Sequence, residues 1–343
     1  MTRLERALLL TALLASPGAA ARLPRPEPAA LLDAALAEPA TGYAGRVKVQ
    51  YFPVGGAPKA QFREVRWDGP GRERVETFAK RRTPSAVRVR SGGEELVHSA
   101  PLKRAWKGPR PEPDAAQARR HRARLDALYE LSVSTGGQTA KRKTWRLDLR
   151  SRADGRLRRS LWVDRDTAFV LKREDYRHDG SLRLRERFLR LSHGPQDPEA
   201  FRLDAPRGVS VTARETPFIP CPSAGRKTPC ASPLLPLRLP GWLPEGYFLF
   251  DVLGSTRAHL ITAFNDGLAP VSVAASAPDA AGPAGADARP YAVVTLGEGR
   301  GEFLRGADGP CLAWRAKDRQ SVVCGDLAED ELARLADSME PAR

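Results

Sequence analysis

The sequence predicts a mainly β chain of the α+β class. A curved antiparallel half-barrel with inserted helices comes first, followed by a smaller C-terminal α+β domain. Three observations predict this. Ser160 to Ser192 reads as a three-strand meander with its turns written into it. Short alternating segments separated by Gly- and Pro-containing turns recur before it. A Pro-rich, aperiodic stretch over 213–240 then divides the chain.

The meander organises the rest. Leu161 and Val163 alternate with Trp162 and Asp164, and Asp164-Arg165-Asp166-Thr167 supplies turn formers. Phe169 to Lys172 is the return strand. His178-Asp179-Gly180-Ser181 makes the second turn, with Asp-Gly where a hairpin needs positive φ. The third strand, Leu182 to Leu191, alternates Leu and Arg, with an irregularity where Phe188 and Leu189 adjoin. One face of this ribbon is apolar and the other dense with Arg, the pattern of a sheet that covers a core on one side and meets water on the other.

In chain order, residues 1–21 read as a cleaved secretory signal. Arg3 and Arg6 precede the apolar run Ala7 to Ala15, Pro17-Gly18 breaks it, and Ala19-Ala20-Ala21 offers a cleavage site. The first cysteine is Cys221, so no lipid-bearing cysteine follows the signal, and no later stretch reaches the ~20 apolar residues of a membrane-spanning helix. The expectation is an exported, soluble, periplasmic protein. Glu27 to Ala37 predicts a first helix with Pro28 near its start. Strands follow at Tyr43 to Tyr51, Phe62 to Trp67, Arg74 to Phe78, Ala86 to Arg90 and Glu94 to His98. Pro113 to Leu131 predicts a helix whose Leu125, Leu128 and Leu131 pack on the sheet. Thr144 to Ser151 is a further strand leading into the meander. This makes about eight strands with two helices, and a sheet of that size curls.

The length suits two domains of about 100–200 residues: a half-barrel over 22–212, a linker over 213–240, and a second domain over 241–343. In the second, strands are expected at Tyr247 to Leu253, Ala258 to Asn265, Val271 to Ala275, Tyr291 to Leu296, Cys311 to Ala316 and Gln320 to Cys324. Asp266-Gly267 signals a hairpin, Ala277 to Arg289 is a low-complexity loop, and Gly297-Glu298-Gly299-Arg300-Gly301 reads as a turn. A last helix starts with Asp326 as N-cap and lays Ala328, Leu332, Leu335 and Met339 on the small sheet.

Net charge is +15, of which the signal supplies +1, and most basic residues are Arg. Two readings stand: a solvated surface, or an anionic partner such as lipid phosphates or an acidic protein segment. An exported chain without a recognition motif gives no expectation of nucleic acid. Four cysteines in an exported chain are expected to be oxidised. The three connectivities include the preferred local pairs, Cys221 with Cys230 and Cys311 with Cys324. A metal site is the alternative, without a close Cys-x-x-Cys pair or a histidine cluster to support it. His98, His121, His178, His193 and His259 are scattered and read as surface or structural. The sequence has no nucleophile elbow, zinc-binding His-Glu-x-x-His, phosphate loop or dinucleotide fingerprint. Neither an enzyme nor a cofactor is expected.

Val47, Val49 and Tyr51, with Trp145, Leu147 and Leu149, are the candidates for lining a groove. Two helices are too few to cover about eight strands, so part of the apolar face should stay open to an acyl chain or hydrophobic peptide, with Arg at the rim for a headgroup. The alternative is that helices and loops close it into an ordinary core.

Several segments carry a resemblance. Tyr43-Ala44-Gly45 opens a Val-alternating strand, and Trp67-Asp68-Gly69-Pro70 is followed by Arg72, Arg74 and Glu76. Leu161 to Thr167 with Val170-Leu171-Lys172 forms a strand pair, with Ala168 where Gly is usual. Leu243-Pro244-Glu245-Gly246-Tyr247 and Asn265-Asp266-Gly267-Leu268-Ala269 with Val271-Ser272-Val273 follow in the second domain. In this order they resemble the periplasmic sigma-E regulatory family typified by MucB/RseB, over most of the mature chain. The resemblance implies a half-barrel like that of the lipoprotein carriers (LolA/LolB-like) and a smaller α+β domain. It implies binding to the periplasmic part of a membrane-spanning anti-sigma factor, which is thereby shielded from proteolysis, with envelope lipid or lipopolysaccharide as a releasing ligand. The alternative is a periplasmic carrier or chaperone for lipoproteins or other lipidic ligands. A homo-oligomer is left open.

Overall fold

The computed structural model describes residues 24–79, 83–109, 115–213, 238–256, 259–277, 290–297, 299–306, 309–316 and 319–341. The signal segment, Cys221, Cys230 and nearly all of the Pro-rich stretch lie outside them.

The chain begins with α1 (Pro28–Leu36), capped by the Glu27 carboxylate, which accepts from the Ala30 N–H at 2.7 Å. Then come β1 (Tyr43–Tyr51), β2 (Lys59–Trp67), β3 (Glu73–Phe78), β4 (Ala86–Ser91), β5 (Glu94–Ser99) and β6 (Arg104–Pro109). Helix α2 (Ala115–Leu128) leads directly into β7 (Tyr129–Thr139), and β8 (Arg142–Ser151), β9 (Leu157–Asp164), β10 (Val170–Tyr176), β11 (Leu182–His193) and β12 (Ser210–Ala213) follow. These twelve strands form one sheet in the order β12-β6-β5-β4-β3-β2-β1-β11-β10-β9-β8-β7. The sheet is open and antiparallel except for β12, which runs parallel to β6. Strand β1 is its keystone, because it joins the hairpins on one side to the returning meander β9-β10-β11 on the other.

The remaining elements are β13 (Arg238–Pro240), β14 (Phe248–Thr256), β15 (His259–Asn265), β16 (Pro270–Ser276), β17 (Ala292–Leu296), β18 (Gly299–Arg305), β19 (Pro310–Arg315), β20 (Gln320–Gly325), α3 (Glu329–Asp337) and β21 (Met339–Pro341). Seven of them make a second sheet, ordered β14-β15-β16-β20-β19-β18-β17, and β13 pairs with β21. Leu332 and Leu335 of α3 pack on Val273, Leu312 and Val323 of this sheet.

Four sequence expectations are corrected. The large sheet has twelve strands where about eight were expected. The missed ones carry weak signals: β6 holds Gly and Pro, β7 is mostly Ser, Thr and Gly, and β12 has four residues. Helix α2 stops at Leu128, so Leu131 sits on a strand opposite Leu149. The segment Gly297 to Gly301 is not only a turn, because Gly299 opens β18. A Cβ on Gly301 would lie 2.8 Å from Leu312, so the glycine lets two strands' side chains meet over it. The last helix is capped at Ala328, not Asp326, with Glu331 accepting from the Ala328 N–H at 2.9 Å, and Met339 belongs to β21. Asp326 is used elsewhere, as described below.

Two local expectations are met. Arg46 pairs with Arg190 and Val47 with Phe188, so Leu189 is the extra residue that bulges β11. Ala168, in the turn before β10, adopts φ of 56°, the left-handed conformation that glycine would take without strain.

Candidate functional site

Register decides which side chains share a face, since directly opposed residues of antiparallel strands point the same way. Following the pairs from Val47 to Arg63 and Phe188, and from Leu161 to Leu147 and Arg173, defines one continuous inner face. Val47, Val49, Tyr51, Trp145, Leu147 and Leu149 all lie on it. What covers them differs from one end of the face to the other.

Over β7, β8 and β9 the face is covered. Trp145, Leu147 and Leu149 are buried in one cluster with Leu31 and Leu32 of α1, Leu125 of α2, and Tyr129, Val133, Leu161 and Val163. Arg122 of α2 pairs with Asp33 of α1, which ties the two covering helices together. Over β1 to β4, β10 and β11 the face bounds a cavity of about 650 Å³. Its apolar floor includes Val47, Val65, Val75, Leu171 and Phe188, and Leu36 at the end of α1 stands at its edge, 51% exposed. Of the six candidate residues, Val47 lines this cavity. Val49 is fully buried on the same face, and Tyr51 lies exposed at the end of β1, its hydroxyl accepting from Gln61 at 3.0 Å and Arg63 at 3.2 Å. Of the lining residues that sequence reading missed, Val65 and Val75 alternate correctly but sit between charged neighbours that disguise the face, and Phe188 stands beside Leu189 at the bulge, where alternation breaks.

The cavity walls are charged and paired. Glu186 bridges Arg63 and Arg173, each at 3.0 Å, and Glu73 bridges Arg88 at 3.2 Å and Arg90 at 3.0 Å. Arg159 holds Asp175 through two hydrogen bonds, 2.6 and 3.1 Å. At the far end Tyr43 packs against Trp67, Phe169 and Phe188, with centroids 5.8, 4.7 and 6.4 Å away. Burial, and then the Glu73 carboxylate, pushes the Tyr43 phenol up to about 12. A Cβ on Gly45 would stand 2.6 Å from the Phe188 ring, so the glycine after Tyr43-Ala44 makes room for that aromatic cluster. An apolar floor between rows of ion pairs can hold an amphiphile or an extended peptide.

The second sheet is fastened to the covered half. Leu268, in the β15–β16 turn, joins the same buried cluster as Leu125 and Leu147. The Tyr129 hydroxyl donates to Asp266 Oδ2 at 2.7 Å, while Asp266 Oδ1 accepts from the backbone N–H groups of Leu268 and Ala269. Burial foremost, then Asp266, raises the Tyr129 phenol far above its ordinary range. The Arg124 guanidinium lies 3.1 Å from the Phe248 ring centroid, and the His178 N–H donates to Asp326 Oδ2 at 3.1 Å. Burial raises the Asp326 carboxyl, opposed by the charges of His178 and Arg183.

His178 thus has a structural place in this seam. His98 is buried in β5, His121 lies on α2, and His193 stands edge-on to Phe169. His259 begins β15. Cys311 and Cys324 face each other across β19 and β20 and form a disulfide, whereas the expected Cys221–Cys230 pair lies outside the described residues. Among the described residues, no group of three or more His, Cys, Asp or Glu is placed to hold a metal ion, and no helix is long and apolar enough to cross a membrane.

No protein-family model matches the sequence, and no curated protein matches it. Solved structures do. The chain is similar to MucB in the MucA/MucB complex of Pseudomonas aeruginosa, with 20% identity, 92% of this chain and 99% of that chain covered, and a TM-score of 0.56. It is similar to MucB crystallised with MucA(peri), at 18% identity over 92% of this chain and 100% of that one, TM-score 0.52. A structure of MucB alone gives 17% identity over 91% and 97%, TM-score 0.51. At these identities the likeness establishes the fold, and it runs through both sheets. The segments that resemble the MucB/RseB family and the architecture they build therefore agree: this chain has the MucB-like fold.

Proposed function

We propose that the protein is an exported, periplasmic regulatory binding protein. It binds the periplasmic part of a membrane-spanning anti-sigma factor and, by covering it, modulates its proteolysis in response to envelope lipid stress. The observation that carries this reading is the likeness to MucB across both sheets, including MucB crystallised with MucA(peri). The half-covered inner face supports it physically, because it offers apolar surface to a guest and a fastened second sheet as a docking wall. The test is a calorimetric titration of the full chain with the periplasmic segment of an anti-sigma factor encoded beside it. Micromolar or tighter binding, about 8 kcal/mol, and protection of that segment from added protease are the expected results. A segment that neither binds nor is protected overturns the reading.

One observation favours a lipidic ligand at the same face: the cavity is open, and its apolar floor is continuous from Val47 to Phe188. An acyl chain laid there gains ~0.8 kcal/mol per buried methylene. Displacement of a fluorescent fatty acid tests it. Absence of binding below about 100 micromolar removes the lipid-sensing part and, with it, the alternative role of lipoprotein carrier.

A further inference from the structure

The opposite face of the twelve-stranded sheet carries a row of cations centred on Lys48 and Arg187, neither of which lines the groove. Register sets Phe78, Phe62, Lys48, Arg187, Lys172, Trp162 and Arg146 directly across from one another on β3, β2, β1, β11, β10, β9 and β8. Lys48 therefore stands opposite Arg187, and Arg187 opposite Lys172. Like charges placed directly across a ladder repel, and no carboxylate belongs to this row.

Neighbouring rows neutralise only its far end. Lys172 pairs with Glu174 at 3.0 Å and lies 3.5 Å from the Trp162 ring centroid, and Arg146 pairs with Asp148 at 2.8 Å. Lys48 and Arg187 form no ion pair among the described residues, and Arg187 is exposed. One residue pair along the same strands, Arg46 also faces Arg190, and the two share the single carboxylate of Glu64 at 3.6 and 3.1 Å. From β1 to β8 the row spans four strand spacings of about 4.8 Å each. No small ion touches such an array at once. A surface of repeated phosphates does.

We propose that this outer face, centred on Lys48 and Arg187, docks the protein on an anionic lipid bilayer surface and leaves the inner groove turned away from it. The excess of positive charge over the whole chain, +15, acts in the same sense. Contact is chiefly electrostatic: of the three rings in the row, Trp162 is buried beneath its cations, Phe62 lies half-buried with the Arg46 guanidinium 5.0 Å from its centroid, and Phe78 is half-buried.

The test is sedimentation of the full chain with vesicles of phosphatidylcholine containing phosphatidylglycerol, against phosphatidylcholine alone. The expected result is binding to the anionic vesicles only, reversed by salt, and weakened about tenfold or more by Lys48→Gln with Arg187→Gln. A control pair, Lys59→Gln with Arg207→Gln, removes the same charge from other exposed positions and should leave binding close to that of the parent. The Lys48/Arg187 variant should melt at or above the parent temperature, since it relieves a like-charge contact. An equal loss in the control pair reduces the effect to net charge and overturns the proposal, as does binding to neutral vesicles or to none. A lower melting temperature removes its premise. Row-dependent binding of polyglutamate without vesicle binding would replace the membrane by an acidic protein segment. Anti-sigma-segment binding by the variant, measured separately, should be unchanged, which keeps this test distinct from the function proposed above.

Discussion

The two halves of the inner face of the large sheet are written in the same alternating pattern and end in different states. Leu147, between Trp145 and Leu149 on β8, is fully buried beneath α1, α2 and the turn carrying Leu268. Val47 on β1 shares its face and its strand pattern, yet lines an open cavity walled by Arg63, Glu186 and Glu73. Alternation therefore specifies which way a side chain points. Cover is specified by where the helices and the second sheet come to rest.

The sharpest way to break this comparison is truncation at equal depth of pattern. Leu147→Ala should cost about 2–5 kcal/mol, because a closed site leaves a cavity that cannot collapse. Val47→Ala should cost less, about 1–2 kcal/mol, since Val47 is 7% exposed and loses two buried carbons but borders a cavity that already exists. Urea midpoints measure both, and equal losses would show the groove to be as tightly closed as the core. Asp266→Ala strikes the fastening of the covered half. It leaves the Tyr129 hydroxyl and two backbone N–H groups without their acceptor, so a loss of about 2–3 kcal/mol is expected. Tyr129→Phe should lose about 1 kcal/mol. Limited proteolysis should then cut first between the two sheets. Cleavage that begins instead within the β1–β2 hairpin would mean that the seam does not depend on Asp266.

The titrating groups sharpen the contrast by sign. On the outer face, burial works to raise the Glu174 carboxyl, but hydrogen bonds from Tyr176, Lys172 and Arg185 outweigh it and hold it below its ordinary 4.5. A depressed carboxyl contributes stability above its unfolded value and loses it as pH falls through the folded one. Unfolding midpoints should therefore drop below about pH 4.5, and Glu174→Gln should flatten that drop. In the cavity Tyr43 goes the other way, from 10.0 to about 12. A raised phenol contributes stability below its unfolded value and loses it as pH climbs from 10.0 toward 12. Tyr43→Phe should remove this alkaline loss and leave the acid limb untouched. The smallest effect is expected at the turn after β9. Ala168→Gly relieves a φ of 56° and should stabilise by about 0.5–1 kcal/mol. A destabilised variant would show that the Ala168 methyl, packed against the covered cluster, matters more than its backbone.

Much of this molecule is legible in its sequence. The meander, its Asp-Gly turn, the bulge beside Phe188, the α+β class and the Cys311–Cys324 pairing all rest on residues close together in the chain, where hydrophobic period and turn chemistry are decided locally. Strand β7 was missed although Tyr129, Leu131 and Val133 alternate with Glu130, Ser132 and Ser134, because this short run continues straight from α2 with no turn between them, and its second half, Ser134 to Thr139, has no apolar residue. Leu131 was misplaced for the same reason, its spacing from Leu125 and Leu128 fitting a helix as well as the strand it joins. Asp326 reads as a helix cap, yet its carboxylate accepts from the His178 N–H, a partner 148 residues away that no local signal announces.

The sequence by itself determined the direction of the inner-face side chains on the strands it made legible, Val47, Val49, Trp145, Leu147 and Leu149 among them, because strand period is two and does not depend on the neighbour. Only the tertiary structure decided that Trp145, Leu147 and Leu149 are core while Val47 lines an open cavity. That outcome depends on where α1, α2 and the Leu268 turn settle, and on arginine–carboxylate pairs that close only when β1, β2, β10 and β11 stand side by side.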